Sequence, residues 1–505
     1  MLPMDSGSST CWTGGSNKRK KNIKMTDMKK RRVPLMVILF LLAGWGSYAQ
    51  DLPAGTLSLR QCIETAIANN RDVRQGDLQV QEDRLNWKQS KLNMLPDLNG
   101  ILNHQLNTGR SIDPFTNGYI NQNYSSAAYS INSGVILFNG FSIQNGIKQN
   151  SLAYEASKMD GQQIKDNLTI NVILAYLQVL SNRDLVAQAA EQVELSKKQV
   201  ERLELLNRDG AIPPSQLSDL RGQFAGDRLA YLNAEKAWES SKIYLFQLMN
   251  LPYGSDRSFE NIETSSFAAS YPDTPDKIYA TALEKFALAR SVDLRKESAE
   301  KAVKVFQGQL FPTLSLNGNL SSNYSSAATK ALFLNSTDVT SDDYVVVNGN
   351  SVPVIRKQNN YNYQKIKYGS QLDNNLFTSV SLNLRIPIFN AGSARNRVKM
   401  ARIRLESTDI AAKTTKIQLQ QSIEQAYLNM TTAFQSYKTL LEQVTAYQES
   451  FRAAEIRFNE GVGNTIDYLT AKTNLDRANI NLINAKYDYV LRIRILDFYQ
   501  GKPLW

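Results

Sequence analysis

The side chains that most often do chemistry are scarce in this 505-residue chain: one histidine, His104, and two cysteines, Cys11 and Cys62. A lone imidazole cannot build a His-rich metal site, and two cysteines cannot build a disulfide framework or a multi-cysteine metal site. With a single imidazole, most histidine-based acid–base catalysis is not expected either. No GxxxxGK[ST] run is present, so transport is not driven by a P-loop in this chain. No enzyme activity, cofactor or metal is therefore expected. The formal charge is +11, yet nine Lys/Arg fall in the first 49 residues against Asp5 and Asp27 alone. A nucleic-acid binder carries its basic surplus in the folded body, so nucleic acid is not expected as a partner.

What remains must act through shape. Residues 29–32 are Lys-Lys-Arg-Arg, followed by an apolar run from Val33 to Ala43 and the small-x-Ala site Ser47-Tyr48-Ala49. That order predicts a cleaved export signal within an N-terminal extension over 1–49. The apolar run is too short to span a bilayer, and no later stretch of about 18 apolar residues follows. Residues 50–505 are expected to leave the cytoplasm, and not as a helical membrane protein.

The body repeats itself. LFNGFSIQNGIK (137–148) returns as IFNAGSARNRVK (388–399), a shift of 251 that also pairs Ala175-Tyr176-Leu177 with Ala426-Tyr427-Leu428 and Gly210 with Gly461. Upstream, a shift of 216 pairs Leu95-Pro96 with Phe311-Pro312, so 35 residues are inserted between about 325 and 374. Two structural repeats are expected, 50–254 and 255–505, the second with a long loop at 325–374. Each should run helix, strand, loop, strand, long helix, tight turn, helix. The first helices are expected at about 59–93 and 275–309, ending ahead of Pro96 and Pro312. The long helices, about 143–208 and 394–459, carry apolar residues at 3-4 spacing, such as Ile423, Ala426, Met430, Ala433 and Tyr437. That period demands neighbouring helices.

Four segments alternate with period two, at 98–107, 129–138, 314–321 and 376–386. One side carries Leu98, Leu102, Leu106, Leu316, Val380 and Leu384, and the other is mainly Asn, Ser, Gln and Arg385. His104 falls on the apolar side and reads as an ordinary strand residue. Such strands suit a wall with hydrocarbon outside and water inside, although a half-buried soluble sheet alternates in the same way. Lipid forbids open sheet edges, and four strands cannot close a barrel. Two copies would supply eight strands and three would supply twelve. An eight-stranded barrel is filled by its own side chains, so a conducting bore favours three.

On these carriers, the duplicated strand-to-helix junction (GVILFNG and LRIPIFNAG) and the turn RFNEGVGNTIDYL (457–469), the chain resembles the TolC-like outer-membrane efflux channels from about Leu57 to Trp505. The resemblance implies an α+β membrane protein: a homotrimer with a twelve-stranded barrel in outer-membrane lipid, on a periplasmic helical coiled-coil barrel. It implies an outer-membrane export duct of a Gram-negative bacterium, serving efflux or type I secretion with a periplasmic adaptor and an inner-membrane transporter. The junction residues would be Phe138, Asn139, Gly140, Phe389, Asn390 and Gly392. The adaptor-docking tip would be Gly210, Ala211, Ile212, Pro213, Gly461, Val462, Gly463, Asn464 and Thr465, where glycine ends each long helix and Pro213 or Thr465 opens the next. The family constricts its tip with a ring of aspartates. Asp467 matches one such position, whereas Thr470 stands at the second. Three Asp467 carboxylates around an aperture would favour cations. The runner-up reading is a periplasmic coiled-coil adaptor or scaffold without a barrel. Pro387 is expected within the periplasmic end of the last strand, and the 325–374 loop is expected to face outward as a functional or disordered segment.

Overall fold

The structure, a computed structural model, describes residues 55–112, 117–121, 123–254, 257–262 and 271–502. The export signal expected over 1–49 lies outside the described residues. The first half contains α1 (Leu59–Asn69), α2 (Arg71–Leu92), β1 (Asn99–Asn107), β2 (Arg110–Ile112), β3 (Tyr119–Asn121), β4 (Tyr124–Phe138), α3 (Ser142–Arg208) and α4 (Pro214–Leu248). The second contains α5 (Pro275–Lys285), α6 (Ala287–Gly308), β5 (Thr313–Ser325), β6 (Thr329–Val347), β7 (Asn350–Lys365), α7 (Tyr368–Asn374), β8 (Phe377–Arg385), α8 (Ser393–Asn459) and α9 (Thr465–Tyr499).

Three expectations need correction. The leading helix of each half is two helices, not one. Asn70 leaves the helix at ψ 133°, and its side chain accepts from the backbone N–H of Asp72 (2.8 Å) and Val73 (3.1 Å), so it caps α2 while ending α1. In the second half Phe286 breaks the helix at ψ 126° and buries its ring against Phe498 and Tyr499. Pro387 lies outside the last strand, because β8 ends at Arg385, where a residue without an N–H cannot continue the ladder. The 325–374 insertion is ordered: β6 and β7 form an antiparallel hairpin closed at Asn348-Gly349, both at positive φ, and α7 follows.

At 67 residues each, α3 and α8 extend about 100 Å at 1.5 Å per residue. Their heptad positions point inward as the 3-4 spacing requires. Ile423, Ala426, Met430, Ala433 and Phe458 are buried on α8, as are Val172, Ala175, Val179, Ala189, Val200 and Leu203 on α3. Near the sheet the helices stand in the order α2, α3, α6, α8. Trp87 stacks on Tyr154 between the first two, Ser298 Oγ donates to Gln149 O (3.0 Å) between the next, and Lys296 pairs with Asp409 (2.7 Å) between the last. Farther from the sheet the order is α4, α3, α9, α8. There Asn182 Nδ2 donates to Ala237 O (3.1 Å), and Tyr487 donates to Asp184 (2.7 Å). Halfway along, α1 and α5 pack on the long helices, with Ile278, Ala282 and Phe286 seated against Ile423, Met430 and Leu496.

Candidate functional site

The sheet runs β1-β4-β5-β8, all antiparallel. Its register sorts the alternation into two faces. Leu102 opposes Tyr129, Ile131 opposes Leu320, Val135 opposes Leu316, and Leu316 opposes Leu382. The other face pairs Asn99 with Asn132, Asn132 with Asn319, Asn319 with Ser379 and Thr313 with Arg385. There Asn319 Nδ2 donates to Asn132 Oδ1 (2.6 Å). The apolar face lies open within one chain: Leu102 is 82% exposed and Val380 73%. His104 sits on it opposite Ala127, within 2.7 Å of Ser125 Oγ.

Aromatic rings flank this apolar face. Tyr129, Tyr324 and Tyr368 cluster at one end, where the Tyr129 and Tyr368 hydroxyls meet at 2.7 Å. Phe138, Phe141, Phe311 and Phe389 gather at the other end. Nine residues separate Tyr129 from Phe138, about 30 Å of strand, or about 23 Å of height at a tilt of about 40°. That matches the apolar band of an outer-membrane barrel. No described helix is long and apolar enough to cross a membrane, and no described cluster of three or more His, Cys, Asp or Glu could hold a metal ion. Burial pushes the Cys62 thiol up to about 12, so it is inert.

Both junctions turn strand into helix through two consecutive left-handed residues, Gly140-Phe141 and Ala391-Gly392. Asn139 O accepts from Ser142 N (3.3 Å), and Asn390 O accepts from Ser393 N (3.1 Å). Phe389 is 87% exposed beside its junction. A Cβ on Gly140 would meet Gly308 O at 2.4 Å, so glycine is required there by the passing backbone of α6 as well as by φ. Gly392 has open space around it.

At the far end both long helices stop with the same hydrogen bonds. Gly210 N reaches Asn207 O and Ala211 N reaches Leu206 O; Gly461 N reaches Phe458 O and Val462 N reaches Arg457 O. Pro213 caps α4, and Asn464 caps α9 by accepting from Asp467 N (2.7 Å). Ala211, Pro213, Val462 and Asn464 are exposed, Ile212 and Gly463 half-buried, and Asp467 and Thr470 exposed. Thr465 is buried, so it cannot touch a docked protein directly. Arg202 of α3 donates to the side chain and carbonyl of Asn459, tying the two tips together.

Sequence reasoning missed a buried ion cluster above the tip. Lys472 Nζ, 2% exposed as a side chain, lies 3.1 Å from Asp227 and 2.7 Å from Asp476, joining α9 to α4. Burial raises the Asp476 carboxyl above its ordinary range, opposed by Lys472. The i,i+4 spacing of Lys472 and Asp476 on the face that also buries Tyr468 was its only sequence signal. Also missed were two open stripes. Leu78, Leu85 and Leu92 of α2 are 50%, 63% and 44% exposed, and Ile403, Ile410 and Ile417 of α8 are 66%, 58% and 56% exposed. Each recurs every seven residues, as a coiled-coil seam does.

Comparison with known proteins agrees with this geometry. TolC of Escherichia coli is 21% identical over 478 residues, covering 92% of this chain and 84% of that protein. The efflux protein BepC of Brucella suis is 19% identical over 358 residues, covering 70% of this chain and 68% of its own. The crystal structure of VceC from Vibrio cholerae superposes with a TM-score of 0.69 at 12% identity, covering 88% of this chain and 97% of that one. The family model described as outer membrane efflux protein matches residues 62–251 and 280–501. The chain belongs to the outer membrane efflux protein family, as an outer-membrane channel for efflux.

Proposed function

We propose that three copies unite into a passive duct, with a twelve-stranded outer-membrane barrel continuous with a twelve-helix periplasmic tunnel. One observation carries this reading: both layers of a single chain end in open flanks on the same two sides. Among the described strands, β1 and β8 each pair on one edge only, and α2 and α8, at the ends of the helix row, each carry an unpartnered heptad stripe. A neighbouring copy that sets its β1 beside β8 and its α2 beside α8 fills both. Lipid makes the first contact obligatory, since an open edge in hydrocarbon leaves several backbone groups unsatisfied. A barrel-free periplasmic scaffold would have no use for the apolar band between two aromatic belts.

Residues 50–254 and 255–505 act as the two repeats that supply this wall, after export and removal of 1–49. The exposed tip, with Gly210, Ala211, Ile212, Pro213, Gly461, Val462, Gly463 and Asn464, receives a periplasmic adaptor of an efflux or type I secretion system. The energy comes from that adaptor's inner-membrane transporter. Three Asp467 carboxylates line the aperture and narrow it electrostatically; Thr470 adds no charge. In planar bilayers the Asp467→Ala channel should conduct several-fold more than the wild type at the same voltage. Equal conductance would remove Asp467 from the gate, and no conductance from either protein would remove the duct.

A further inference from the structure

The neck where sheet meets helices carries most of its positive charge in the second repeat. Arg395, Arg397, Lys399, Arg402 and Arg404 crowd the first three turns of α8, and Arg385 ends β8. The positions 251 residues earlier are Gln144, Gly146, Lys148, Ser151, Ala153 and Gly134. All six cations of the second repeat are exposed, and none pairs with a carboxylate among the described residues.

Their directions can be read from the register. Arg385 opposes Thr313 on the amide-rich face of the sheet, the face turned from lipid. Arg397 shares a pocket of about 720 Å³ with Arg385, lined by the polar Thr313, Gln309, Asn139 and Ser142 and by the apolar Phe311, Pro387 and Phe389. It donates to Gln309 Oε1 at 3.3 Å. Arg404 lies two turns on along the same side of α8 as Arg397. No carboxylate lines the pocket. Asp97, just ahead of β1, is occupied by Gly134 N–H (2.6 Å) and the Asn99 amide (3.0 Å).

We propose that Arg385 and Arg397 form a binding site for multivalent anions, carboxylates or phosphates, at the neck of the bore. This rests on the three-copy duct, in which six guanidinium groups face one passage. Guanidinium groups suit the task because they stay charged and grip planar oxyanions with paired donors. Amide and hydroxyl neighbours hold such an anion without competing for the cation. Exposed charges act over a Debye length of about 10 Å at 0.1 M salt and about 3 Å at 1 M, so the site should fade in strong salt.

The test is block of single-channel current by citrate or by pyrophosphate, with spermidine as the cationic control. It compares wild type, Arg385→Gln/Arg397→Gln and Arg385→Lys/Arg397→Lys, each first checked for equal yield of heat-resistant trimers. At 0.1 M KCl the half-blocking concentration of both anions should rise at least about ten-fold in the glutamine variant. The lysine variant should stay near wild type, and 1 M KCl should weaken block of the wild type. Spermidine should not distinguish the proteins through this site. Conducting channels whose anion block ignores the glutamine pair would overturn the site and leave the duct standing. Block by pyrophosphate alone, lost in the glutamine variant, would restrict the site to phosphates and contradict the carboxylate half of the proposal. Failure of every protein to trimerise or conduct would overturn the duct and the site with it.

Discussion

The two long helices have the same length and the same ends, yet their flanks differ. On α3, Leu152, Met159 and Asp166 are half-buried, because α2 and α6 pack on either side. The positions 251 residues later, Ile403, Ile410 and Ile417, are all more than half exposed. Matched helices in one chain should not differ this way unless α8 awaits a neighbour that α3 already has. The stripe left over on α2 has the same seven-residue repeat. On the proposed three-copy reading, burial on α3 serves folding, while apolar exposure on α8 serves assembly.

The sharpest way to break this comparison is to charge both helices. Val179→Asp buries an unpaired carboxylate in α3, a penalty of several kcal/mol that should abolish the fold. Ile410→Asp should leave the helical circular dichroism of the chain intact but lower the yield of heat-resistant trimers by at least about ten-fold. If Ile410→Asp leaves trimers untouched, α8 has no seam there.

Next in size is the buried cation that joins the two hairpins. Lys472→Ala strands Asp227 and Asp476 together out of water, which should cost about 3–5 kcal/mol. Thermal melting should register it, and Lys472→Met/Asp227→Leu/Asp476→Leu should recover much of the loss. A neutral Lys472→Ala would mean the cluster is hydrated.

The junctions give a smaller contrast. Alanine at Gly392 meets only the strain of a left-handed residue, about 1–2 kcal/mol. Alanine at Gly140 adds the clash with Gly308 O and should cost clearly more in chemical denaturation. Equal losses would show that α6 yields freely.

Acid provides the finest distinction. Hydrogen bonds from Lys296 and then Lys413 hold the Asp409 carboxyl at about 2, below its ordinary 3.8. Its stabilising contribution is present above 3.8 and is lost as pH falls toward 2. Asp476 has the opposite sign: its raised carboxyl removes stability as pH rises from 3.8 through the folded value. Asp409→Asn should flatten the acid limb of the melting profile, and Asp476→Asn the limb above it. Matching limbs would dissolve the distinction.

Much of this was legible in the sequence because it rests on periodicity. The strand faces, the heptad seams, the paired glycine turns at Gly210 and Gly461 and the matched junctions all follow local rules. The breaks at Asn70 and Phe286 were hidden, since neither residue forbids a helix; a capping bond decides one and ring packing against Phe498 and Tyr499 the other. The hairpin at 329–365 was overlooked because its bulges disturb the alternation. At the tip, sequence located Thr465 but not its burial, which depends on packing between hairpins distant in the chain.

Native mass spectrometry of the protein extracted from outer membranes in mild detergent bears most directly on the shared wall. Twelve strands from four per chain require a complex of three chains, surviving dilution. A particle holding one chain would leave the edges of β1 and β8 without partners, and one holding two would close an eight-stranded barrel filled by its own side chains; either would contradict the duct.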